Sequence, residues 1–257
     1  MDWKKTIYEH IVRELNINPD RDREAARILS RIICKHTCDI DEVKKILTGF
    51  NAVIVFGAGP SLQLDVETAV SLGILNKVGV VAADGAACAL LSSNITPHVV
   101  VSDLDGPREC LLKACKHGSF MFIHAHGDNI PLIKEIVPLL LSGKILGTTQ
   151  TEEIECIRNF GGFTDGDRAV LLCDALGCKR IILAGMDFGE KVGRYSKYFK
   201  LTEEDLLRKR KKLKLGNMVL EEFAKHSKAE LYDATTGSTG INGFKKIHWR
   251  AVKELVE

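Results

Sequence analysis

The stretch VGVVAADGAACALLSSNITPHVVVSDLDG, residues 78–106, decides the fold. Its apolar runs predict two buried strands, at residues 78–83 and 99–102, which a helix connects. Both predicted strands run directly into acidic residues, because Asp84 follows the first strand and Asp103 and Asp105 follow the second. The sequence therefore predicts carboxylates at the ends of two neighbouring strands.

These carboxylates are expected to meet at one edge of a sheet. Strands that are joined through a helix are normally parallel, so their carboxyl ends lie on the same side, where open α/β sheets bind ligands. Magnesium prefers one or two carboxylates together with substrate phosphates. We therefore predict that Asp84, Asp103 and Asp105 are catalytic residues that bind Mg²⁺. The alternative is that the Asp-Gly pairs only form turns and cap the following helices.

Composition limits the classes of function. The chain has 257 residues, of which 45% are hydrophobic, and this is enough to bury a full core. Its formal net charge of +2 gives no overall signature of nucleic-acid or membrane binding. The N-terminus, MDWKKTIYEH, is charged where a signal peptide would be apolar. We expect a cytoplasmic protein that binds neither nucleic acid nor membrane.

The cysteines give no metal-site pattern. Cys88, Cys173 and Cys178 lie within or beside apolar helical patterns, which predicts reduced and buried thiols. The segment CKHTC at residues 34–38 has two thiols and an imidazole. It lacks the second ligand pair that a structural zinc site needs, so zinc is disfavoured.

The chain is predicted to have two regions. Residues 1–48 form an N-terminal helical segment, and residues 49–257 form an α/β catalytic domain. Asn18 and Pro19 are expected to separate the first two helices, and Asp39 is expected to cap a third. We expect this segment to cover one side of the sheet, with a lid or a dimer face as the alternatives. The sequence is also compatible with a homo-oligomer.

A glycine-rich turn follows the predicted strand at residues 51–56. Glycines between a strand and a helix let backbone N–H groups approach an anion, and the helix N-terminus adds its dipole. We therefore predict a phosphate-binding loop made of Gly57, Ala58, Gly59 and Ser61. The loop matches neither the dinucleotide-binding fingerprint nor a Walker A motif.

Another polar strand end follows at residues 124–129, HAHGDN. Alternation along an extended chain places His124, His126 and Asp128 on one side, so more polar groups reach the same edge. This pattern is also similar to that of metallo-β-lactamase-type hydrolases, but Asn129 stands where their next histidine would be. Capping of the next helix is a further alternative.

Strands and helices alternate along the rest of the chain. Further strands are predicted at residues 142–149, 180–184 and 229–232, and FTDGDRA at residues 163–169 opens a helix. This alternation predicts an α/β fold with a mostly parallel sheet, helices on both faces and an N-terminal helical appendage. A basic helix near residues 206–223 is expected to be either a solvated face or a substrate contact. The Gly- and Thr-rich segment at residues 233–243 is expected to be a binding loop.

Several motifs stand in the same order as in thiamin pyrophosphokinases, across roughly residues 52–190. The segments ADGAACALL, NITPH, VSDLD and TDGDRA resemble motifs of that family's catalytic domain. The chain departs from the pattern at Ala86, Gly106 and Gly162, in parts that would hold the acceptor. A resemblance over nearly the whole chain, through GAGPSL, SDLDG, HAHGDN, FTDGDRA and GMDFG, is to the archaeal 6-hydroxymethyl-7,8-dihydropterin pyrophosphokinases.

This second resemblance implies a specific reaction. Diphosphate would pass from ATP to 6-hydroxymethyl-7,8-dihydropterin with the help of Mg²⁺, giving AMP and the pterin diphosphate in tetrahydromethanopterin- or folate-type cofactor biosynthesis. The ATP phosphates would lie over the loop that starts at Gly57. Further nucleotide contacts would come from Thr164, Asp165, Asp167 and Arg168, and pterin contacts from His126, Asp128 and Asn129.

Three alternatives of other kinds remain at this point. The first is a glycosyltransferase related to the bacterial motility-associated nonulosonic acid transferases, which have a similar central domain. The second is a thiamin pyrophosphokinase, and the third is a nucleotide-binding module without catalysis. AMP formation from ATP distinguishes the pyrophosphokinases from the other two.

Overall fold

The structure is a computed structural model that describes residues 3–189, 193–196 and 202–257. The first two residues of the predicted N-terminal segment lie outside the described residues. The strands of the described part are β1 (Val53–Phe56), β2 (Gly79–Ala83), β3 (Val99–Ser102), β4 (Phe120–Ala125), β5 (Lys144–Thr149), β6 (Ile157–Arg158), β7 (Arg180–Ala184), β8 (Glu230–Asp233) and β9 (Lys245–Lys246). Its helices are α1 (Trp3–Leu15), α2 (Pro19–Ile33), α3 (Ile40–Thr48), α4 (Leu62–Ser71), α5 (Ala86–Ser92), α6 (Arg108–Lys116), α7 (Ile130–Leu140), α8 (Asp165–Ala175), α9 (Glu203–Ala224) and α10 (Trp249–Val256).

The strands form one parallel sheet in the order β6-β5-β4-β3-β2-β1-β7-β8-β9. Val55 on β1 lies between Val81 on β2 and Leu183 on β7, and every residue of β1, β2 and β3 is buried. Burial on both faces explains why these strands read as continuous apolar runs. The predicted α/β class with a parallel sheet is confirmed.

The strand order reverses between β1 and β7. From β1 the chain proceeds to β2 on one side, whereas from β7 it proceeds to β8 on the other side. The loops that follow β1 and β7 therefore leave in opposite directions and open a crevice between them. Open α/β sheets bind ligands at such a switch point, outside the carboxyl ends of the strands.

Helices cover both faces of the sheet, as predicted. Alternate residues of the strands supply two apolar clusters, so that Ile54 belongs to one cluster and Val55 to the other. Helices α2, α4, α5, α6, α7 and α10 pack into the first cluster, and α1, α3, α8 and α9 pack into the second. None of the described helices combines the length and the apolar character needed to cross a bilayer.

The N-terminal helices behave differently from the prediction that they cover one side. Leu29 on α2 packs into the first cluster, whereas Ile11 on α1 and Val43 on α3 pack into the second. The segment wraps around an edge of the sheet because its three helices carry separate apolar stripes. The predicted cap at Asp39 is confirmed, since its side chain accepts a hydrogen bond from the amide of Asp41. Asn18, which was expected only to separate the first two helices, also caps α2 by accepting from the amide of Asp20.

The prediction of reduced thiols is wrong for two pairs of cysteines. Cys34 forms a disulfide with Cys156, and Cys88 forms one with Cys110. The partners are 122 and 22 residues apart in sequence, and only the folded chain brings their Cα atoms to 5.4 and 5.2 Å. Cys173 and Cys178 are free and buried, as expected.

A single buried carboxylate joins the elements on either side of the switch point. Asp65 on α4 is fully buried and accepts hydrogen bonds from the amide of Gly185 at 2.8 Å, the amide and hydroxyl of Thr236, and the indole N–H of Trp249 at 3.1 Å. These donors come from the loop after β7, from the predicted binding loop after β8, and from α10. Asp65 therefore fixes two loops of the crevice to α4.

We expect Asp65→Ala to lower the free energy of unfolding by at least about 3 kcal/mol, because several buried donors lose their acceptor at roughly 1–3 kcal/mol each. Urea denaturation measures this change. The matched control is Glu67→Ala on the exposed face of the same helix, with an expected effect within about 0.5 kcal/mol. A loss below about 1 kcal/mol for Asp65→Ala would contradict this role.

Candidate active site

A cavity of about 400 Å³ opens at the carboxyl edge of the sheet, around the switch point. The turn after β1, the ends of β2, β3 and β4, the first turn of α8, the loop after β7 and one face of α9 form its walls. Most of the predicted site residues line it: Gly57, Ala58, Gly59, Asp84, Asp103, Asp105, His126, Asp128, Asn129, Thr164 and Asp165. Ser61, Asp167 and Arg168 lie behind these walls.

Three carboxylates come together in this cavity. One oxygen each of Asp84, Asp103 and Asp165 lies within 4.8 Å of the others. The sequence predicts Asp105 as the third carboxylate of this group. In the structure the third carboxylate is Asp165, and Asp105 is exposed at the cavity edge. The reason is that α8 packs across the ends of the strands and brings its first residue beside them, an approach that the strand ends alone do not reveal.

Like charges and burial shape the electrostatics of this cluster. Burial, together with the charges of Asp105 and Asp103, raises the pKa of Asp84 to about 7. Burial and the charges of Asp103 and Asp84 likewise raise the pKa of Asp165 well above its usual range. For Asp103, burial acts in the same direction, but a hydrogen bond from His126 and the charge of Lys212 oppose it, and its pKa is low.

The cluster has the properties of a site for a hard cation. Asp165 Oδ1 is buried and has no hydrogen-bond partner among the described residues, although a guanidinium nitrogen of Arg168 lies 4.0 Å away. Buried carboxylates normally have their oxygens satisfied, and converging oxygen ligands are what Mg²⁺ requires. The residues present therefore fit a divalent metal ion held by Asp84, Asp103 and Asp165.

The backbone at two of these strand ends is held in an unusual conformation. Asp84 has a φ of 44° and Leu104 a φ of 71°, a region that non-glycine residues seldom adopt. A chain of hydrogen bonds supports both, because the Leu104 amide donates to the Ser102 hydroxyl at 2.8 Å and that hydroxyl donates to Asp84 at 2.6 Å. Strained backbone of this kind clusters at functional sites.

The polar side chains of the turn after β4 mostly form hydrogen bonds within the protein, and these bonds support the acid cluster. His126 Nδ1 accepts from the amide of Asp128, so its Nε2 carries the proton and donates to Asp103 at 3.3 Å. The Asn129 amide group donates to the carbonyls of Asp103 and His124, and its oxygen accepts from the His126 amide. Both N–H groups of the Asn129 side chain are therefore already used, whereas Asp128 is exposed in the cavity and pairs with Arg208 at 3.2 Å.

His124 does not line the cavity, so the structure does not support the alternative of an H-x-H-x-D metal site of the metallo-β-lactamase type. It is fully buried, and its Nδ1 lies 3.1 Å from the hydroxyl of Thr148. No histidine belongs to the potential metal-binding groups found among the described residues.

Helix α2 contributes to the site from behind. Asp22 is buried and accepts from the amide of Gly127 at 2.8 Å and from the side chain of Gln150 at 2.8 Å. Gln150 in turn accepts from Arg168 at 2.8 Å, and Arg168 stands behind Asp165. One carboxylate of the N-terminal segment thus orients both the turn that carries His126 and the support of Asp165.

The two other predicted nucleotide contacts of α8 have internal roles. Asp167 is fully buried and caps the helix, because it accepts from the amides of Phe163 and Thr164 and from the Thr164 hydroxyl. Arg168 is almost fully buried and does not line the cavity. The polar groups of both side chains contact the protein interior, so the structure gives no support to the predicted direct contacts with ATP.

The glycine-rich turn after β1 is packed closely against the loop after β7. A Cβ atom at Gly59 would lie 2.0 Å from a carboxylate oxygen of Asp187 and 2.5 Å from the carbonyl of Gly185. Asp187 accepts from the amide of Ser61 at 3.2 Å and lies 2.9 Å from its hydroxyl. Part of the predicted phosphate-binding loop is therefore already occupied by a carboxylate of the protein.

Sequence reasoning missed several residues of the cavity. The loop after β7 adds Met186, Asp187 and Phe188, and the turn before α8 adds the ring of Phe163. Helix α9 adds Asp205, Arg208, Lys209, Lys212 and Leu213. The basic character of α9 was visible in the sequence, but which of its faces meets the site depends on how the helix packs.

Comparison with known proteins agrees with this geometry. Residues 31–193 match the model of the family described as 6-hydroxymethylpterin diphosphokinase MptE-like. The chain belongs to this family. The members of the family are diphosphotransferases by name, and the resemblance predicted from the sequence motifs is confirmed.

Proteins named 6-hydroxymethyl-7,8-dihydropterin pyrophosphokinase are similar over most of their length. The one from Pyrococcus furiosus is 40% identical over 238 residues, which cover 91% of this chain and 99% of that protein. The one from Methanothermobacter thermautotrophicus is 43% identical over 191 residues, covering 74% and 79%. The one from Methanocaldococcus jannaschii is 39% identical over 206 residues, covering 77% and 84%.

A solved structure shares the fold. The MAf glycosyltransferase from Magnetospirillum magneticum AMB-1 superposes with a TM-score of 0.53 at 15% identity. The alignment covers 78% of this chain and 34% of that larger chain. At this identity the likeness concerns the fold alone.

The metal ligands can be tested with Mn²⁺, whose free signal in electron paramagnetic resonance disappears on binding. We expect Asp165→Asn to weaken binding at least about tenfold, because an amide is a poorer ligand for a hard cation. Asp128→Asn in the same cavity is the matched control, with an expected change within about twofold. Unchanged binding in Asp165→Asn together with a loss in Asp105→Asn would restore the ligand set expected from the strand ends.

Proposed function

We propose that this protein transfers diphosphate from ATP to 6-hydroxymethyl-7,8-dihydropterin and releases AMP, with Mg²⁺ as the metal. Membership of the family makes the chain a diphosphotransferase, so the nucleotide, the metal, the acceptor and the pathway are the proposed parts. The observation that carries the proposal is the cluster of Asp84, Asp103 and Asp165 in a cavity at the switch point.

The reaction needs little covalent help from the protein. The hydroxymethyl oxygen of the acceptor forms a bond to the β-phosphorus, and the bond from that phosphorus to the oxygen bridging the α- and β-phosphates breaks. AMP leaves with the bonding electron pair, and the hydroxyl proton passes to solvent. Because such transfers have a loose transition state, catalysis consists mostly of in-line positioning and of neutralising charge.

The protein's own residues supply the positioning. Asp84, Asp103 and Asp165 would hold Mg²⁺, which when bound neutralises phosphate charge and orients the phosphate oxygens. His126 keeps Asp103 ionised and in place through its hydrogen bond of 3.3 Å. Burial raises the pKa of Asp84 to about 7. A bound cation would act in the opposite direction and favour the ionised carboxylate, which is the form that binds metal.

For the acceptor we propose a contact with Asp128 rather than with the whole predicted trio. The pterin ring presents donors along its aminopyrimidinone edge, and Asp128 is the exposed carboxylate at the end of the turn after β4. Apolar side chains of Leu132, Phe163 and Phe188 line the same cavity and could contact the faces of a flat ring. His126 and Asn129 would act indirectly, by fixing this turn.

The other functions considered have less support. A solved glycosyltransferase structure shares the fold, but at 15% identity this likeness says nothing about activity. Thiamine has a permanent positive charge and lacks the pterin's hydrogen-bonding edge, and the family relatives are named for the pterin. We further propose a role in tetrahydromethanopterin- or folate-type cofactor biosynthesis and a cytoplasmic location.

The deciding experiment separates AMP from ADP by chromatography after incubation of the protein with ATP, Mg²⁺ and each acceptor. We expect AMP and the pterin diphosphate with 6-hydroxymethyl-7,8-dihydropterin, little product with thiamine, and none after removal of the metal by EDTA. Asp103→Asn is expected to lose at least about 100-fold in kcat, a typical cost for removing an electrostatic contact in a reaction centre. ADP as the product, or a higher kcat/KM for thiamine, would refute the proposal.

The acceptor contact has its own test. We expect Asp128→Ala to raise the KM for the pterin at least about tenfold, because a charge-assisted hydrogen bond is worth roughly 1.5–3 kcal/mol. The KM for ATP should change less than about twofold. Steady-state kinetics with each substrate varied in turn measures both, and Asp20→Ala on exposed α2 serves as the control. An unchanged KM for the pterin would place its polar edge elsewhere.

A further inference from the structure

Helix α9 approaches the first turn of α8 very closely at Gly216. A Cβ atom at this position would lie 2.9 Å from Asp167 Oδ2, 3.1 Å from the ring of Phe188 and 3.2 Å from Thr164. Glycine inside a helix lowers helix stability by about 1 kcal/mol relative to alanine. The close approach explains why glycine is present here, because a larger residue would not fit between α9 and α8. One turn earlier on the same face, Lys212 is brought over the cavity.

The basic residues of α9 divide into two groups. Arg208, Lys209 and Lys212 line the cavity, and Lys209 and Lys212 are half-buried there. Arg210, Lys211 and Lys214 are exposed and do not line the cavity, and Lys211 pairs with Glu14 on α1 at 3.0 Å. The cationic face of this helix is therefore turned toward the acidic cluster by packing, and the rest of its charge is turned to solvent.

The cavity cations have different surroundings. Arg208 is paired with Asp128 at 3.2 Å, and the Lys209 ammonium donates to the carbonyl of Ser196 at 2.9 Å. The Lys212 ammonium lies 6.0 Å from the centre of the Phe163 ring, beside the first turn of α8, and its charge acts on Asp103. Of the two described lysines that line the cavity, Lys212 is thus the one whose charge reaches the acid cluster.

A polyphosphate beside three carboxylates needs positive charge on its other side. Metal held by the carboxylates would face one side of the phosphate chain, and the face of α9 that carries Lys212 is a further wall of the same cavity. At the turn after β1, the Ser61 amide and hydroxyl already meet Asp187, so that side offers fewer donors than the sequence indicated.

We propose that Lys212 is a catalytic residue that binds the diphosphate group during its transfer. This inference rests on the proposed function, and it adds a protein cation to the charge neutralisation of the reaction. A lysine ammonium acts as a compact point charge on phosphate oxygens, and it becomes more effective where water is excluded. The phosphate chain then runs between the acid cluster and α9.

The test compares Lys212→Met, Lys212→Gln and Lys212→Arg with Lys214→Met. Lys214 belongs to the same helix but is exposed and does not line the cavity, so its variant controls for loss of one positive charge. We expect kcat to fall at least about 100-fold in the Met and Gln variants, to fall less in the Arg variant, and to change less than about twofold in Lys214→Met. Circular dichroism and gel filtration verify that each variant is folded.

A second measurement is independent of turnover. Calorimetric titration with inorganic pyrophosphate and Mg²⁺ should give at least about tenfold weaker binding to Lys212→Gln than to the unmodified protein or Lys214→Met. If the unmodified protein makes no AMP but this loss of binding is seen, the proposed function fails and the anion contact at Lys212 stands. If pyrophosphate binds Lys212→Gln as tightly as the unmodified protein, or binds neither, the inference is overturned.

Discussion

Electrostatic repulsion among Asp84, Asp103 and Asp165 is the constraint on which the rest of the site depends. Their oxygens lie within 4.8 Å of one another, and burial removes the water that would screen them. Such an arrangement is stable only with protons or with positive charge nearby. Three basic side chains approach the cluster from three directions. The Nε2–H group of His126 comes from the turn after β4, and the cations Arg168 and Lys212 come from α8 and α9. The surrounding fold can be understood as the means of holding these groups in place around the carboxylates.

The N-terminal helices belong to that supporting structure. The carboxylate of Asp22 on α2 holds the amide of Gly127 and the side chain of Gln150 at 2.8 Å each. Through these contacts α2 sets the turn that orients His126 and the amide that orients Arg168. A segment that looks like an appendage in the sequence is thus connected to the supports of both His126 and Arg168. On the opposite side of the switch point, Asp65 has the equivalent task for the loops after β7 and β8.

How much could be predicted from the sequence depends on whether each feature is determined by neighbouring residues or by contacts between distant parts of the chain. Strand and helix patterns are local, so the parallel sheet, the helix boundary at Asn18, the helix cap at Asp39, and the acidic strand ends at Asp84 and Asp103 were all predictable. Asp165 could be named as a site residue, but its place in the cluster depends on how α8 crosses the sheet. Asp167 shows the opposite problem, because a capping carboxylate and a ligand-binding one have the same local sequence. The disulfides and Lys212 depend wholly on tertiary approach, and for Lys212 the weak signal was a glycine at position 216 within a basic helix.

The position of Asp187 bears on how a polyphosphate can be oriented in the cavity. A carboxylate and a phosphate compete for the same donors and repel each other, and Asp187 already meets the amide and the hydroxyl of Ser61. Burial raises the pKa of Asp187, as expected for a carboxyl in a closely packed turn.

The glycines of this turn are needed to admit the loop after β7, since a side chain at Gly59 would collide with Asp187 and with the carbonyl of Gly185. A turn that resembles a phosphate loop in sequence can therefore have its glycines for an internal reason. Among the described residues that line the cavity, the cationic side chains belong to α9, which is why we propose Lys212 and the acid cluster, rather than the turn after β1, as the contacts of the phosphates.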